Sequence, residues 1–232
     1  MLSLEMLFRR PREPSRYDLV SRIAVVDLGT GNLHSVSKAL ECVAPNQEVV
    51  ITRDPIIILD AGHVVVPGQG AIGSWFRALD ALNLRNVVTD VLSNRPVLGI
   101  CLGLQALYTC SEEDGGVDGF DWMTGNVRRF PIDHGEFGQT LKVPHMGWNN
   151  VRQTASHPLW QGISDDSRFY FVHSYYVYSG DDKEIVGTTV YGFSFISAAA
   201  KSNIFAVQFH PEKSHNQGLT LLQNFVRWDG TI

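Results

Sequence analysis

Cysteine is scarce in this sequence, and the few that occur have no regular spacing. The 232 residues include only Cys42, Cys101 and Cys110, with no C-x-x-C pair and no cluster of histidine and cysteine at zinc-ligand intervals. An odd set of three argues against a disulfide framework. The sequence therefore predicts a reduced, cytoplasmic protein without a metal site.

Long apolar runs and an excess of positive charge are also missing. No stretch approaches the roughly 20 apolar residues that a membrane-spanning helix needs. The formal net charge is -5 at pH 7, which provides no basic field to attract nucleic acid. Neither a membrane nor nucleic acid is therefore expected as a partner.

The length of the chain fits one α/β domain with a full core. Residues 1–21 lack the order of basic, apolar and small-residue regions that marks a signal peptide. They predict a loosely held N-terminal extension, followed by one domain over 22–232. An organelle-targeting segment is the alternative for the extension, although Glu5, Glu13 and Asp18 argue against it.

Continuous apolar runs that end at a glycine or a turn recur in the first half of the chain. They are "IAVVDLG" at 23–29, "HVVVPGQG" at 63–70 and "PVLGIC" at 96–101. Such runs are typical of parallel strands that are covered on both faces. The amphipathic segments 32–43 and 75–94 have the pattern of crossover helices, the second of them interrupted. This half predicts a series of βαβ units.

The second half of the chain has a different pattern. Residues 112–139 are rich in glycine, aspartate and aromatics and predict loops with short strands. Later segments with the aromatic and β-branched content of strands are "RFYFVHSYYV", "EIVGTTVYG", "FISAAAKS" and "IFAVQFHP". A last helix is predicted over "NQGLTLLQNFVRW". The predicted fold is a single α/β domain, with a central mostly parallel sheet flanked by helices and some antiparallel strands in the C-terminal half.

The stretch "PVLGICLGLQ" sets Cys101 between two glycines where an apolar run ends. The pattern G-x-C-x-G from Gly99 to Gly103 is the thiol counterpart of the nucleophile elbow, a tight turn in which small neighbours accommodate a strained nucleophile. If "LQALYTC" forms the next helix, its N-terminus favours the thiolate over the thiol. The backbone N–H of Leu102 would then face an oxyanion. The alternative is an inert packing cysteine.

A base for this thiol is predicted in "FAVQFHPEKS", more than 100 residues later. His210 and Glu212 flank Pro211 at the end of an apolar strand. Residues two apart in an extended segment point the same way, and Pro211 biases His210 toward extended geometry. Glu212 would hold the imidazole in the tautomer that accepts the thiol proton. The sequence thus predicts a Cys–His–Glu triad.

A glycine-rich loop in "VVVPGQGAIG" is the third element. Gly68 and Gly70 permit a close approach of the backbone, and the loop ends a predicted strand. In an α/β sheet it would lie beside the Cys101 turn, where ligands bind. A backbone N–H of Gln69 or Gly70 would complete the oxyanion hole.

Together these motifs resemble a known family. "GICLGLQ", "PGQG" and "FHPEKS" are similar to motifs of the class I, triad-type glutamine amidotransferases. "DLGTGNLHSV", "KVPHMGWN" and "FYFVHSYYV" resemble, more narrowly, the glutaminase subunits of imidazole glycerol phosphate synthase. The resemblance extends from about residue 23 to the C-terminus. Gln69 departs from it, because a small or apolar residue is expected between the loop glycines.

The resemblance implies roles for particular residues. Cys101 would be the nucleophile, His210 the acid and base, and Glu212 the residue that orients it. The substrate glutamine would be bound by Gln105, His173, Ser174 and Tyr175, together with the Gly70 region. The interface with a partner subunit would include Asn32, Pro144, Met146, Trp148 and Lys213.

The resemblance also implies a reaction and a partner. Glutamine would be hydrolysed through a glutamyl thioester, without a cofactor, and the ammonia would pass to a (β/α)8-barrel cyclase in a heterodimer. In this family the cyclase makes imidazole glycerol phosphate and an aminoimidazole carboxamide ribotide for histidine and purine metabolism. Such glutaminases are slow until the partner binds its ligand, and the same is expected here.

Other functions stay open at this point. They are a glutaminase subunit of another pathway, a hydrolase of γ-glutamyl peptides that acts without a partner, and a regulatory or scaffolding protein that has kept the fold and lost catalysis. The complete set of Cys101, His210 and Glu212 argues against the last of these.

The remaining titratable residues have simpler interpretations. By pattern alone, His173 fits a hydrogen-bonded histidine at a strand end. Cys42 and Cys110 have no matching base motif and are predicted to be structural. The acidic stretch at 111–121 does not fit a calcium loop and predicts a solvated loop. Surface or turn positions are expected for His34, His63, His134, His145 and His157.

Overall fold

The computed structural model describes residues 22–29, 31–131 and 140–231. The predicted extension 1–21 and His134 lie outside these ranges. Strands and helices alternate through the first half, as predicted. In chain order they are β1 (Arg22–Val26), α1 (Leu33–Val43), β2 (Glu48–Thr52), α2 (Pro55–Asp60), β3 (His63–Gly68), α3 (Ile72–Ala81), α4 (Arg85–Asn94) and β4 (Val97–Cys101).

The strands of this half form a parallel sheet, of which β1, β3 and β4 are buried on both faces. β1 pairs with β2 and β3, and β3 pairs with β4. Successive residues of β1 contribute to two separate apolar clusters, Ile23 and Val25 to one, Ala24 and Val26 to the other. Because side chains alternate across a strand, both faces of the sheet must be covered, which explains the unbroken apolar runs.

Two asparagines define helix ends in this half. The side chain of Asn32 accepts a hydrogen bond from the Ser35 N–H and caps α1. Asn83 has φ +56°, a left-handed conformation that asparagine tolerates better than most residues, and it lies between α3 and α4. The predicted interruption of the long amphipathic segment is confirmed.

The segment after Cys101 differs from the prediction. α5 (Leu102–Gln105) has only four residues, and the chain then turns into β5 (Tyr108–Ser111). The predicted helix over "LQALYTC" is therefore wrong beyond its first turn. Such a short helix carries little of the dipole that was expected to stabilise a thiolate.

The second half is mostly extended. Its elements are β6 (Val117–Asp118), β7 (Met123–Arg129), β8 (His145–Gln153), β9 (Ser167–His173), β10 (Tyr175–Gly180), β11 (Ile185–Tyr191), β12 (Phe193–Lys201), β13 (Ile204–Val207) and α6 (His215–Arg227). The predicted strands and the last helix are confirmed. The segment predicted as loops with short strands contains β7, which is seven residues long.

The two halves meet at β13. This strand pairs in parallel with β4 on one side and antiparallel with β12 on the other. The path β2-β1-β3-β4-β13 is thus parallel, and antiparallel pairing predominates beyond it. The predicted fold class is confirmed. Within the described ranges, no helix combines the length and the apolar content that crossing a membrane requires.

Candidate active site

Cys101 ends β4 in a strained conformation. Its φ of 56° and ψ of -103° lie outside the regions that non-glycine residues ordinarily occupy. A Cβ on Gly103 would lie 1.9 Å from the carbonyl oxygen of Val66, and one on Gly99 would lie 2.7 Å from that of Gly103. The two glycines are required because the turn packs directly against neighbouring backbone.

His210 and Glu212 follow β13, the strand beside β4. Register pairs Val207 with Ile100, so both strands bring their ends to one edge of the sheet. The Nδ1 atom of His210 and the Oε1 atom of Glu212 are 2.8 Å apart, and the two side chains are only 2% and 1% exposed. The backbone of His210 is fixed in turn, since its N–H donates to the Tyr170 carbonyl. The ring therefore has one orientation.

The charge state of His210 is set by two neighbours. Burial alone would lower the pKa of His210, but the Cys101 sulfur and the Glu212 carboxylate raise this pKa to about 10. Nδ1 is occupied by Glu212, so Nε2 is the nitrogen left to exchange a proton with Cys101. Among the described residues Nε2 has no conventional hydrogen-bond partner. The arrangement favours an imidazolium at His210, beside the Cys101 sulfur.

The loop after β3 lies beside the Cys101 turn, as predicted. Gly68 and Cys101 are register partners of the parallel pair, and a Cβ on Gly68 would lie 2.6 Å from that of Leu102. Gly70 has φ +92°, which favours glycine. The Gln69 side chain lies within 4 Å of a Cβ built on Gly31, over the loop that leads from β1 to α1.

A cavity of about 370 Å³ opens in front of Cys101. It gathers the predicted nucleophile, oxyanion-hole and substrate-binding positions, and two of the positions predicted for the partner interface. The lining residues are Gln69, Gly70, Cys101, Leu102, Gln105, Glu113, Pro144, Val172, His173, Ser174, Tyr175 and Lys213. A much smaller cavity behind the loop is lined by Asn32, Gln69, His210 and Glu212, among others.

Sequence reasoning missed two polar residues of this site. Glu113 was assigned to a solvated acidic loop, but it is half-buried, accepts the N–H of Ile72 and lines the cavity. Burial and the nearby Asp114 raise the pKa of Glu113. Gln208 is fully buried, and its Nε2 lies 3.6 Å from the Cys101 sulfur. Gln208 directly follows β13 and precedes His210 by two residues, and this spacing was the signal that could have found it.

The other predicted interface residues lie outside the cavity. Met146 is 62% exposed and Trp148 is 36% exposed on β8. The Trp148 ring stacks on His215 with centroids 4.9 Å apart and planes at 3°. Their alternation along the strand places these two apolar side chains on one face, close to Pro144.

Several histidines predicted at the surface or in turns are buried instead. His63, His145 and His157 are each at most 5% exposed, whereas His34 is exposed. The expectation failed for His63 because its Nε2 donates to the Trp228 carbonyl, and for His157 because its Nδ1 accepts the Leu159 N–H. His145 pairs with His173. These partners offset only part of the cost of burying a polar ring, because Nδ1 of His63 and Nε2 of His157 have no hydrogen-bond partner among the described residues.

Neither of the other two thiols lines the cavity in front of Cys101. Cys42 is exposed on α1, and Cys110 donates to the side-chain oxygen of Asn126 at 3.0 Å. Across the described ranges, no three His, Cys, Asp or Glu side chains are grouped as metal ligands.

Comparison with known proteins places this geometry in a family. The model of glutamine amidotransferase class-I matches residues 24–228. The imidazole glycerol phosphate synthase subunit HisH of Nitrosospira multiformis is 57% identical over 208 residues, covering 89% of this chain and 97% of that protein. Subunit HisH 1 of Pseudomonas aeruginosa is 51% identical over 212 residues, covering 91% of this chain and 99% of that protein.

Solved structures agree in fold. A structure described as a glutamine amidotransferase superposes with a TM-score of 0.66 at 15% identity, covering 90% of this chain and 99% of that one. The glutaminase domain of Trypanosoma brucei CTPS gives a TM-score of 0.55 at 18% identity, covering 90% of this chain and 94% of that one. The turn at Cys101, the arrangement of the sheet and these relatives lead to one conclusion. The chain belongs to the class I glutamine amidotransferases and, within them, to the HisH subunits of imidazole glycerol phosphate synthase.

Proposed function

We propose that this chain hydrolyses glutamine to glutamate and ammonia and supplies the ammonia to a cyclase partner in histidine biosynthesis. The observation that carries the proposal is the juxtaposition of a strained Cys101 with the buried His210–Glu212 pair. The HisH relatives, which are named as subunits of imidazole glycerol phosphate synthase, give the pathway.

The chemistry follows from the charge state of the pair. The Cys101 thiolate attacks the side-chain carboxamide carbon of glutamine, and the negative oxygen that forms is bound by backbone N–H groups of Leu102 and of Gln69 or Gly70. Nε2–H of His210 protonates the leaving nitrogen, and ammonia departs to leave a glutamyl thioester. The neutral ring then takes a proton from water, whose attack releases glutamate and restores the thiolate. Glu212 stabilises the imidazolium throughout.

The cavity provides complementary groups for the rest of the substrate. Glutamine carries an α-ammonium group, and the Glu113 carboxylate is the acid that lines the cavity. Gln105 lies deeper, with its Oε1 atom buried and unpartnered among the described residues. We assign the amino-acid end of glutamine to Glu113 and to the wall formed by His173, Ser174 and Tyr175. These groups act on binding, because they lie away from the reacting carbon.

The partner is proposed to be a (β/α)8-barrel cyclase that forms a cytoplasmic heterodimer with this chain. The exposed apolar residues Met146 and Trp148 suit a protein interface. Asn32, Pro144 and Lys213 complete the proposed surface. Pro144 and Lys213 also line the cavity, so a partner bound there would sit at its mouth. The proposed domain spans 22–232, with 1–21 as an extension outside it.

The test is glutamate release by the purified chain, alone and with a histidine-pathway cyclase, with and without the ribotide ligand of that cyclase. A large rise that requires both cyclase and ligand is expected. Hydrolysis that ignores the cyclase would assign the site to another pathway or to a free-standing hydrolase. No hydrolysis in any mixture would favour a silent scaffold.

Cys101→Ala supplies the matched control. It should abolish glutamine-dependent synthesis by the complex and leave synthesis from added ammonia intact, since only the ammonia source is lost. Loss of both activities would contradict the assigned division of labour.

A further inference from the structure

Two buried histidines face each other across β8 and β9. His145 and His173 are register partners of this antiparallel pair, and Nδ1 of His145 lies 2.9 Å from Nε2 of His173. His145 is stacked between Phe171 and Tyr191, with ring centroids 4.8 and 4.1 Å away. Only His173 lines the cavity. His145 therefore stands one layer behind the proposed substrate wall.

The proton positions in this pair are determined by its neighbours. The Asn149 amide is oriented by two backbone groups, because its Nδ2 donates to the Val190 carbonyl and its Oδ1 accepts the Asn150 N–H. Nδ2 also lies 3.2 Å from Nε2 of His145, so that nitrogen must accept. His145 then carries its proton on Nδ1 and donates to His173.

The same logic continues to the cavity. Nε2 of His173 accepts, so His173 carries its proton on Nδ1, which lies 2.7 Å from the Tyr175 carbonyl oxygen. That oxygen also accepts from Nε2 of Gln105 at 3.1 Å, and the same amide nitrogen donates to Oε1 of Gln208 at 3.0 Å. Gln208 in turn donates to the Cys101 sulfur. The neighbours of each group in this series of hydrogen bonds thus determine which atom donates and which accepts.

At the cavity end of this series of hydrogen bonds, one acceptor is left for the substrate. Both N–H groups of Gln105 are used, so its buried Oε1 is the atom that remains free among the described residues. If the proton on His173 moved to Nε2, a lone pair of Nδ1 would face the Tyr175 carbonyl oxygen, and these atoms would repel each other. The carbonyl and the Gln105 amide would then shift.

We propose that His145 is a positioning residue for glutamine binding: it holds His173 in the Nδ1–H tautomer and so keeps Tyr175 and Gln105 in place. This inference rests on the proposed function. It gives a hydrogen-bonding reason for burying two imidazoles against each other, and it joins β8, the strand with the exposed Met146 and Trp148, to the substrate wall.

The rings of His145 and His173 are both held in the neutral form, which this series of hydrogen bonds requires. Burial lowers the pKa of His145 to about 4. Burial also lowers the pKa of His173, to about 3, against the opposing effect of the Tyr175 carbonyl. Each ring therefore has one donor and one acceptor at neutral pH.

The test compares three variants in the complex with cyclase and ligand. His145→Phe keeps a ring between Phe171 and Tyr191 but cannot donate, and kcat/KM for glutamine should fall 10- to 100-fold, chiefly through KM. His145→Asn keeps a nitrogen donor near the position of Nδ1 and should recover to within about 3-fold of the wild type. His157→Phe removes an equally buried histidine outside the cavity and should leave kcat and KM unchanged.

A second readout follows the tautomer directly. In the wild type, the 15N NMR shifts of His173 should show the proton on Nδ1, and in His145→Phe they should show loss of that single state. An unchanged KM with an unchanged His173 tautomer would overturn the inference, as would equal kinetic losses in His145→Phe and His157→Phe. If the wild type itself releases no glutamate, the proposed function fails, and the His173 spectrum still decides the role of His145.

Discussion

Two histidines that flank the Cys101 site are almost equally buried and have opposite charge preferences. His210 and His173 are 2% and 6% exposed. The pKa of His210 is raised to about 10, whereas burial lowers that of His173 to about 3. His210 faces the Glu212 carboxylate and the Cys101 sulfur, while His173 faces neutral His145 and a backbone carbonyl. Burial penalises both charged rings, and only an anionic neighbour reverses the result.

The difference separates two tasks within one site. A charged imidazole can deliver a proton to a leaving group, which is what bond cleavage requires. A neutral imidazole has one donor and one acceptor, which suits a fixed position in a hydrogen-bonded wall. The region after β13 thus suits proton transfer, and under the proposed function the β8–β9 region places the substrate.

Removing the charge that distinguishes His210 should have the largest effect. Glu212→Gln keeps the shape of the side chain but leaves His210 without its carboxylate, so its pKa should fall toward that of a buried neutral ring. The glutaminase kcat should fall on the order of 10³-fold, measured as glutamate release in the complex. Synthesis from added ammonia should be unaffected, and a kcat within 3-fold of the wild type would contradict the role given to Glu212.

The neutral histidines should make the fold sensitive to acid. Burial lowers the pKa of His157 to about 4, so the unfolded chain binds more protons than the folded one between about pH 6.5 and 4. Stability is complete above that window and is lost as the pH falls through it. His210 has the opposite sign, and its contribution is complete below about pH 6.5 and is lost as the pH rises from there toward 10.

Urea unfolding at pH 7.5 and pH 5 measures this effect. The loss of unfolding free energy due to His157 alone should be on the order of 2 kcal/mol. His157→Phe should remove that part of the pH dependence, whatever its stability at pH 7.5, and His34→Gln, at an exposed position, should retain it. The same slope in His157→Phe and the wild type would show that His157 is not held neutral.

A smaller effect is expected when a carboxylate is placed beside His145, so that its surroundings resemble those of His210. Asn149→Asp places a carboxylate beside Nε2 of His145, as Glu212 lies beside His210, and removes the hydrogen bond to the Val190 carbonyl. The pKa of His145 should rise by about one to two units, measured by NMR titration. Asn126→Asp adds the same charge on β7 and should leave His145 unchanged. A His145 pKa that stays near 4 in Asn149→Asp would mean that solvent screens the new charge.

Local sequence patterns predicted the parallel half and the tight turn at Cys101 well. The strands β1, β3 and β4 are buried on both faces, so their composition alone reveals them. Gly99 and Gly103 have to be glycine for steric reasons, and steric requirements of this kind leave a pattern that can be read without a structure. The pairing of His210 with Glu212 was predicted from an extended segment, but only His210 is extended, because Pro211–Lys213 forms a 3-10 turn that brings Glu212 to Nδ1 of His210.

Properties that depend on long-range register could not be predicted in the same way. The contact between His145 and His173 exists because β8 and β9 pair at that offset, and neither residue carries a local sign of it. β2 was missed because it is half-exposed at the sheet edge and lacks an unbroken apolar run. The length of α5 was overestimated because "LYTC" is compatible with either helix or strand until β7 pairs with it.

The place of β13 in the sheet affects how the molecule is made. β13 is the last strand in the described part of the chain, yet it fills the gap between β4 and β12. A growing chain therefore contains Cys101 more than 100 residues before it contains His210 and Glu212. Contacts between residues far apart in sequence form late in folding. A chain that ends before β13 therefore contains Cys101 without His210 and Glu212, the buried pair that follows this strand.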